Sequence, residues 1–307
     1  MQTYIYSAST FRLLLLLLLI VPASLWAQQQ PLFTQYMFNG LAINPAYAGS
    51  HESMSITALA RKQWLGMEGA PSTQTFALHT PVPNEKIGLG LLLTHDQAGP
   101  VHQYNIKFAY AYRLPLGPGK LAMGIQAGLL NYNARFSTLY LGPNVQDPTF
   151  EQDINKTLFD VGTGLYYSTD RFYLGLAVPQ MLALQSEQHI HLSRHYFLNS
   201  GYVVALNRSL QLKPNVLVKA VAGAPLELDL NANLLINEVL WIGASYRSFQ
   251  TLSALLELQL TDQLRVGYAY DFPASSELGR HTSSSHELML NYRFTFYKSN
   301  ISTPRNF

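Results

Sequence analysis

The 307-residue sequence contains no cysteine, which excludes a disulfide framework and any thiolate-held metal. Charge is scarce as well. Asp, Glu, Lys and Arg make up 12% of the chain, against about 25% in a typical soluble domain. The net charge is +2, which gives no electrostatic case for nucleic acid as a partner. Beyond the first 27 residues there is no apolar run near the roughly 20 residues that a spanning helix needs.

Residues 1–27 read as a signal peptide. Arg12 supplies a positive charge, Leu13 to Val21 a short apolar run, and Ala27 a small residue at the exit. The mature chain is then expected to start at Gln28.

What is present is alternation. Leu226 to Ile236 reads Leu-Glu-Leu-Asp-Leu-Asn-Ala-Asn-Leu-Leu-Ile, with apolar side chains at every even position. Successive strand residues point to opposite faces, so this segment has one apolar and one polar face. The same pattern recurs. Tyr104, Ile106, Phe108, Tyr110 and Tyr112 oppose Gln103, Asn105, Lys107 and Arg113. Leu264, Val266, Tyr268 and Tyr270 oppose Arg265, Gly267 and Asp271. About fourteen such segments, with 19 Tyr and 15 Phe in the chain, predict an all-β fold. It is a transmembrane antiparallel β-barrel with aromatic girdles.

Connections alternate in length. Short turns are expected at 83–85, 116–118, 169–170, 207–208, 237–238 and 261–262. Mostly longer connections fall at 64–71, 95–101, 131–157, 179–194, 222–225, 248–251 and 272–285. Outer-membrane barrels have short periplasmic turns and longer outer loops, so both termini are assigned to the periplasmic side. The barrel is expected over 51–296, followed by a tail at 297–307. Residues 28–50 are aromatic but do not alternate. They form an N-terminal arm, either a plug in the lumen or a periplasmic element.

The arm also carries a family resemblance. Phe33-Thr-Gln-Tyr36 and Asn44-Pro-Ala-Tyr-Ala-Gly49 resemble the start of the PorP/SprF family of the Bacteroidota type IX secretion apparatus. The likeness continues in order through Phe159-Asp-Val-Gly-Thr-Gly, Lys213-Pro-Asn-Val-Leu-Val-Lys219, Trp241-Ile-Gly-Ala-Ser-Tyr-Arg247 and Gly267-Tyr-Ala-Tyr-Asp271. It implies an outer-membrane protein that serves secretion or surface attachment, sometimes linked to gliding. The implied partners are proteins with a C-terminal sorting domain and a periplasmic peptidoglycan-binding protein, besides the outer-membrane lipid. Phe33, Gln35, Tyr36, Asn44, Pro45 and Tyr47 of the arm are the partner-binding candidates.

No constellation argues for catalysis or a cofactor. Asp229-Leu-Asn231-Ala-Asn233 opens like a calcium loop, but Leu234 and Leu240 stand where that loop needs Gly and Glu. His189, His191 and His195 lack an evident fourth zinc ligand and read as part of a solvated loop. Ser285, His286 and Glu287 are strand neighbours that point to opposite faces. Gly88-Leu-Gly90 lacks the third glycine of a dinucleotide site. The polar-face ions Lys107, Asp160, Lys219, Asp229, Arg247, Arg265, Asp271 and Glu287 are expected in the lumen, where they either fill space or bind a guest. The function expected is a non-catalytic accessory of type IX secretion that binds or anchors a client protein. The rival is a passive or substrate-specific porin.

Overall fold

The computed structural model describes residues 32–51, 53–82, 86–139, 152–181, 185–186, 190–191, 193–248, 251–273 and 284–294. The expected signal peptide at 1–27, residues 28–31, His189 and the expected 297–307 tail lie outside them. Among the described residues fourteen strands form the wall in chain order, besides a short ribbon of Gln185–Ser186 and Ile190–His191. The first seven are β1 Met54–Lys62, β2 Ser72–Pro81, β3 Ile87–Ala98, β4 Val101–Leu116, β5 Gly119–Ala134, β6 Ile154–Ser168 and β7 Phe172–Val178. They are followed by β8 His195–Tyr202, β9 Leu210–Val221, β10 Glu227–Ile236, β11 Leu240–Arg247, β12 Thr251–Gln259, β13 Leu264–Pro273 and β14 Ser285–Phe294. Val204–Ala205 extends β8 along β9.

Every strand pairs antiparallel with its sequence neighbours, and β1 pairs with β14, so the sheet closes into a 14-strand barrel. Closure satisfies backbone N–H and C=O groups that lipid cannot hydrate. The alternation sets the faces. Phe108 is 64% exposed and Leu230 48%, both outward, whereas Lys107 and Asp229 between such residues are buried inside. Tyr104, Tyr196, Tyr246 and Phe272 ring the outer face near the long connections. Tyr112, Tyr167, Tyr202 and Tyr292 lie near the short turns. These are two aromatic girdles around an apolar band.

The turn between β10 and β11 shows how the short connections are made. Asn237 and Glu238 both take positive φ, 51° and 57°, the two left-handed positions of a hairpin turn whose twist matches the strands. One expected loop is different. Most of 95–101 is strand, and β3 and β4 meet at Gly99-Pro100. His95, Gln97 and His102 put polar side chains on the outward face as well. Alternation stops there, but the hydrogen-bond ladder continues. For the same reason β5 runs on to Ala134 and β6 begins at Ile154, inside the expected 131–157 loop.

Candidate functional site

Residues 32–51 run through the lumen. They begin beside the loop ends of β13 and β14, opposite to the periplasmic end expected for the N-terminal side, and leave at the turn end, where β1 starts. Three single 3-10 turns, Tyr36–Phe38, Gly40–Ala42 and Pro45–Tyr47, keep the segment compact. The last has a local sequence cause. Asn44 caps it by accepting the Ala46 N–H at 2.9 Å, and Pro45 begins it with a fixed φ.

The wall holds this segment through polar groups at both levels. The Glu287 carboxylate accepts the backbone N–H of Thr34 at 2.9 Å and of Gln35 at 2.8 Å. Arg61 reaches Glu287 at 3.2 Å and Asp271 at 2.6 Å, and donates to the Thr34 hydroxyl at 3.1 Å. Arg247 grips Asp229 with Nε at 3.0 Å and Nη2 at 2.9 Å, and donates to the Phe33 carbonyl at 3.4 Å. Lys219 pairs with Glu227 at 3.0 Å. Further round the wall Asn44 Nδ2 donates to the carbonyls of Leu165 and Leu176 at 2.9 and 3.3 Å. Unpaired ions would be very costly at this burial, and the partners offset that cost.

Apolar side chains hold the rest. Phe33 packs with Leu59 and Met289. Tyr36, Met37 and Ile43 pack with Phe197, Leu217, Leu255 and Ala269. Leu41 and Ala48 meet Ala77, Leu92, Ala109 and Ala111. The Tyr47 ring stands edge-on to His79 and Tyr166, each at 5.4 Å between centroids. Glycines give the backbone room. A side chain on Gly88 would strike the Ala48 carbonyl, and one on Gly124 the Ala46 backbone. Burial pushes the Tyr36 phenol well above its ordinary range, and the Asp229 charge adds to the shift.

Each ion expected in the lumen is buried there. Lys107 and Asp160 lie 3.7 Å apart, and Arg265 and Glu257 3.6 Å apart. Asp271 and Glu287 share Arg61, and Lys219, Asp229 and Arg247 form the second group. The six arm candidates, Phe33, Gln35, Tyr36, Asn44, Pro45 and Tyr47, contact the barrel wall, so their contacts are intramolecular in this closed form. Asn231 accepts from Asn215 at 2.9 Å and also from Asn233, a side-chain ladder inside the barrel. His195 does not lie in a loop. It opens β8, stacks on Phe197 and meets the Ser193 carbonyl at 2.9 Å.

Lys213 was not among the singled-out ions. Its ammonium lies 5.8–5.9 Å from the ring centres of Phe38, Tyr173 and Trp241. A cavity of ≈10 Å³ beside it is about the room one water needs. The sequence did hold a signal for the arm's seat. Leu59, Leu217, Leu235, Leu255 and Met289 are apolar residues on the otherwise polar strand face, and all are buried. Four of these five touch the arm's clusters.

A family model described as type IX secretion system membrane protein PorP/SprF matches residues 25–292. A search of curated proteins gives no match. Among solved structures the chain is similar to the CymD monoaromatic hydrocarbon channel, at 11% identity and a TM-score of 0.50, over 85% of this chain and 93% of that one. It is also similar to the Acinetobacter baumannii outer membrane protein Omp33, at 11% identity and TM-score 0.44, over 79% and 98%. A Pseudomonas aeruginosa FadL homologue gives 12% identity and TM-score 0.44, over 87% and 95%. At these identities the likeness to CymD is one of fold.

Proposed function

Because this chain belongs to the PorP/SprF family of type IX secretion system membrane proteins and is an outer-membrane β-barrel, we propose that it is a closed anchor for a protein client. The client is a secreted or surface protein with a C-terminal sorting domain, held at a rim of the barrel. A periplasmic peptidoglycan-binding protein at the turn end would tie the barrel to the wall. The protein performs no reaction and needs no cofactor.

The observation that carries this reading is the arm. It is fixed to the wall by Glu287, Arg247 and Asn44, and its apolar residues pack against inward leucines. A conducting pore needs a continuous water path, and fourteen strands enclose a lumen between a side-chain-filled eight-stranded barrel and an open sixteen-stranded porin. Here the arm takes up that space. On this reading solutes do not pass freely, and the rims are the surfaces left for work.

Affinity capture of the tagged, full mature protein from its native outer membrane tests the reading. Proteins with a C-terminal sorting domain should be enriched over a capture with an unrelated barrel. Equal recovery from both would refute the anchor.

A further inference from the structure

We propose that His95 and His102, on the outward face of the β3–β4 hairpin near its loop end, chelate a transition-metal dication such as zinc or copper. The site does not depend on the client reading.

The two histidines are seven residues apart, in the stretch where the apolar alternation stops. The hairpin brings them together. His95 stands opposite Tyr104 and His102 opposite Gln97, so the two are diagonal neighbours on one face. Diagonal side chains of this length reach each other across antiparallel strands. His95 Nε2 lies 3.3 Å from His102 Nδ1. Two zinc–nitrogen bonds of about 2.0–2.1 Å at a tetrahedral angle hold their nitrogens about 3.3–3.4 Å apart. The rings therefore already stand at the spacing of two ligands of one ion. Both are partly exposed.

The surroundings fix how His95 presents itself. Gln74 of β2 is its register partner on the other side. The Gln74 amide nitrogen donates to Ser72 Oγ at 3.1 Å, which turns the amide oxygen toward His95 Nδ1, 2.8 Å away. Nδ1 must carry the hydrogen for that contact, so Nε2 aims its lone pair at His102. An acceptor on the far nitrogen is the outer support that orients a metal-bound histidine. Tyr104 stacks on the His95 ring at 4.4 Å between centroids and 4° between planes, and His102 lies parallel to it within 9°. One hydrogen bond and one aromatic face thus hold the ligating ring in place.

Without metal the rings share one hydrogen, donated by His102 Nδ1. The ion takes the place of that hydrogen. The proton moves to His102 Nε2 through water, the ring stays neutral, and each ring gives one lone pair. Imidazole suits zinc, copper and nickel, whereas magnesium and calcium take oxygen ligands. Asp96 sits on the opposite face, bonded to Thr73, and is turned away. Among the described residues no three His, Asp or Glu side chains gather for a metal. Two nitrogens are then the protein's share, and water fills the other positions.

The test titrates the full mature protein, without a polyhistidine tag, in phosphatidylcholine nanodiscs. Calorimetry with zinc chloride and with copper sulfate should show one ion bound per barrel that the His95→Ala/His102→Ala double variant does not bind. Sites elsewhere in the chain are common to both proteins and cancel in the difference. Magnesium chloride should give no difference. Gln74→Leu should weaken binding about tenfold or more, whereas Gln74→Glu, which still accepts from Nδ1, should bind at least as tightly as wild type. The copper electron paramagnetic resonance spectrum, after subtraction of the double variant, should carry two imidazole nitrogens. Heat-modifiable migration reports that each variant is a folded barrel. Identical titrations of wild type and the double variant would mean that the rings share a hydrogen bond and nothing more, and overturn the proposal. So would a copper spectrum with a single nitrogen, or wild-type affinity after loss of either histidine alone. Wild-type affinity in Gln74→Leu would refute the positioning role of Gln74.

Discussion

Arg61 and Glu287 are register partners across the seam where the first and last strands close the barrel, with Nη1 and Oε2 3.2 Å apart. The same carboxylate holds the Thr34 and Gln35 N–H groups, so one side chain ties barrel closure to the arm. Glu287→Gln keeps the shape and removes the charge. Breaking a buried pair costs about 3–5 kcal/mol. Asp271 remains 2.6 Å from Arg61, which places the cost at the lower end. The folded band on a heat-modifiability gel should disappear at a lower temperature than for wild type. An unchanged transition would show that Glu287 does not hold the seam.

The arm's seat is tested at Gly124. Gly124→Leu forces a side chain into the Ala46 backbone, and overpacking costs about 1–3 kcal/mol. The arm should be expelled before the strands separate. Protease should then cut within residues 32–51 of a barrel that still migrates as folded. Continued protection of the arm would mean that its fit to the wall is loose.

The two faces of β10 respond differently to arginine. Leu230→Arg should cost about 2–4 kcal/mol if the residue lies at the bilayer midplane, because the charge loses its water. Asn231 lies in a packed lumen, where it accepts from Asn215 and Asn233. Asn231→Arg is therefore costly too, by overpacking of about 1–3 kcal/mol, and not the mild change a wide pore would allow. Urea unfolding from lipid vesicles measures both. A cost-free arginine at 230 would contradict the outward register.

Orientation can be read with single cysteines, since the chain has none of its own. Ser137 lies in the β5–β6 connection, where it donates to Asp153 through its N–H and hydroxyl at 2.9 and 3.0 Å. Glu238 lies in the short β10–β11 turn. A membrane-impermeant maleimide on intact cells should label Ser137→Cys and leave Glu238→Cys unlabelled. The opposite result would invert the barrel.

The strands were legible because a barrel wall between lipid and lumen imposes period two, and Leu226 to Leu234 shows it without a break. Strand ends were less legible. At the loop end His95 and Gln97 keep their ladder with polar side chains on the outward face, so hydrophobicity loses the signal before the backbone does. The inward ions were legible one by one, but their pairing was not. Thr34 meets Asp271 and Glu287 across more than 230 residues of sequence, a contact that only closure creates. The arm's place was written in Leu59, Leu217, Leu255 and Met289, apolar residues of the wrong parity. Their meaning appears once a second apolar surface lies against them.

The central claim is that the lumen is shut by its own arm. Planar-bilayer recording of the purified full mature chain, beside a form lacking residues 28–50, tests it most directly. The full chain should be electrically silent, and the truncated barrel should conduct in steady steps. A steady large conductance from the full chain would contradict the closed anchor and favour a porin.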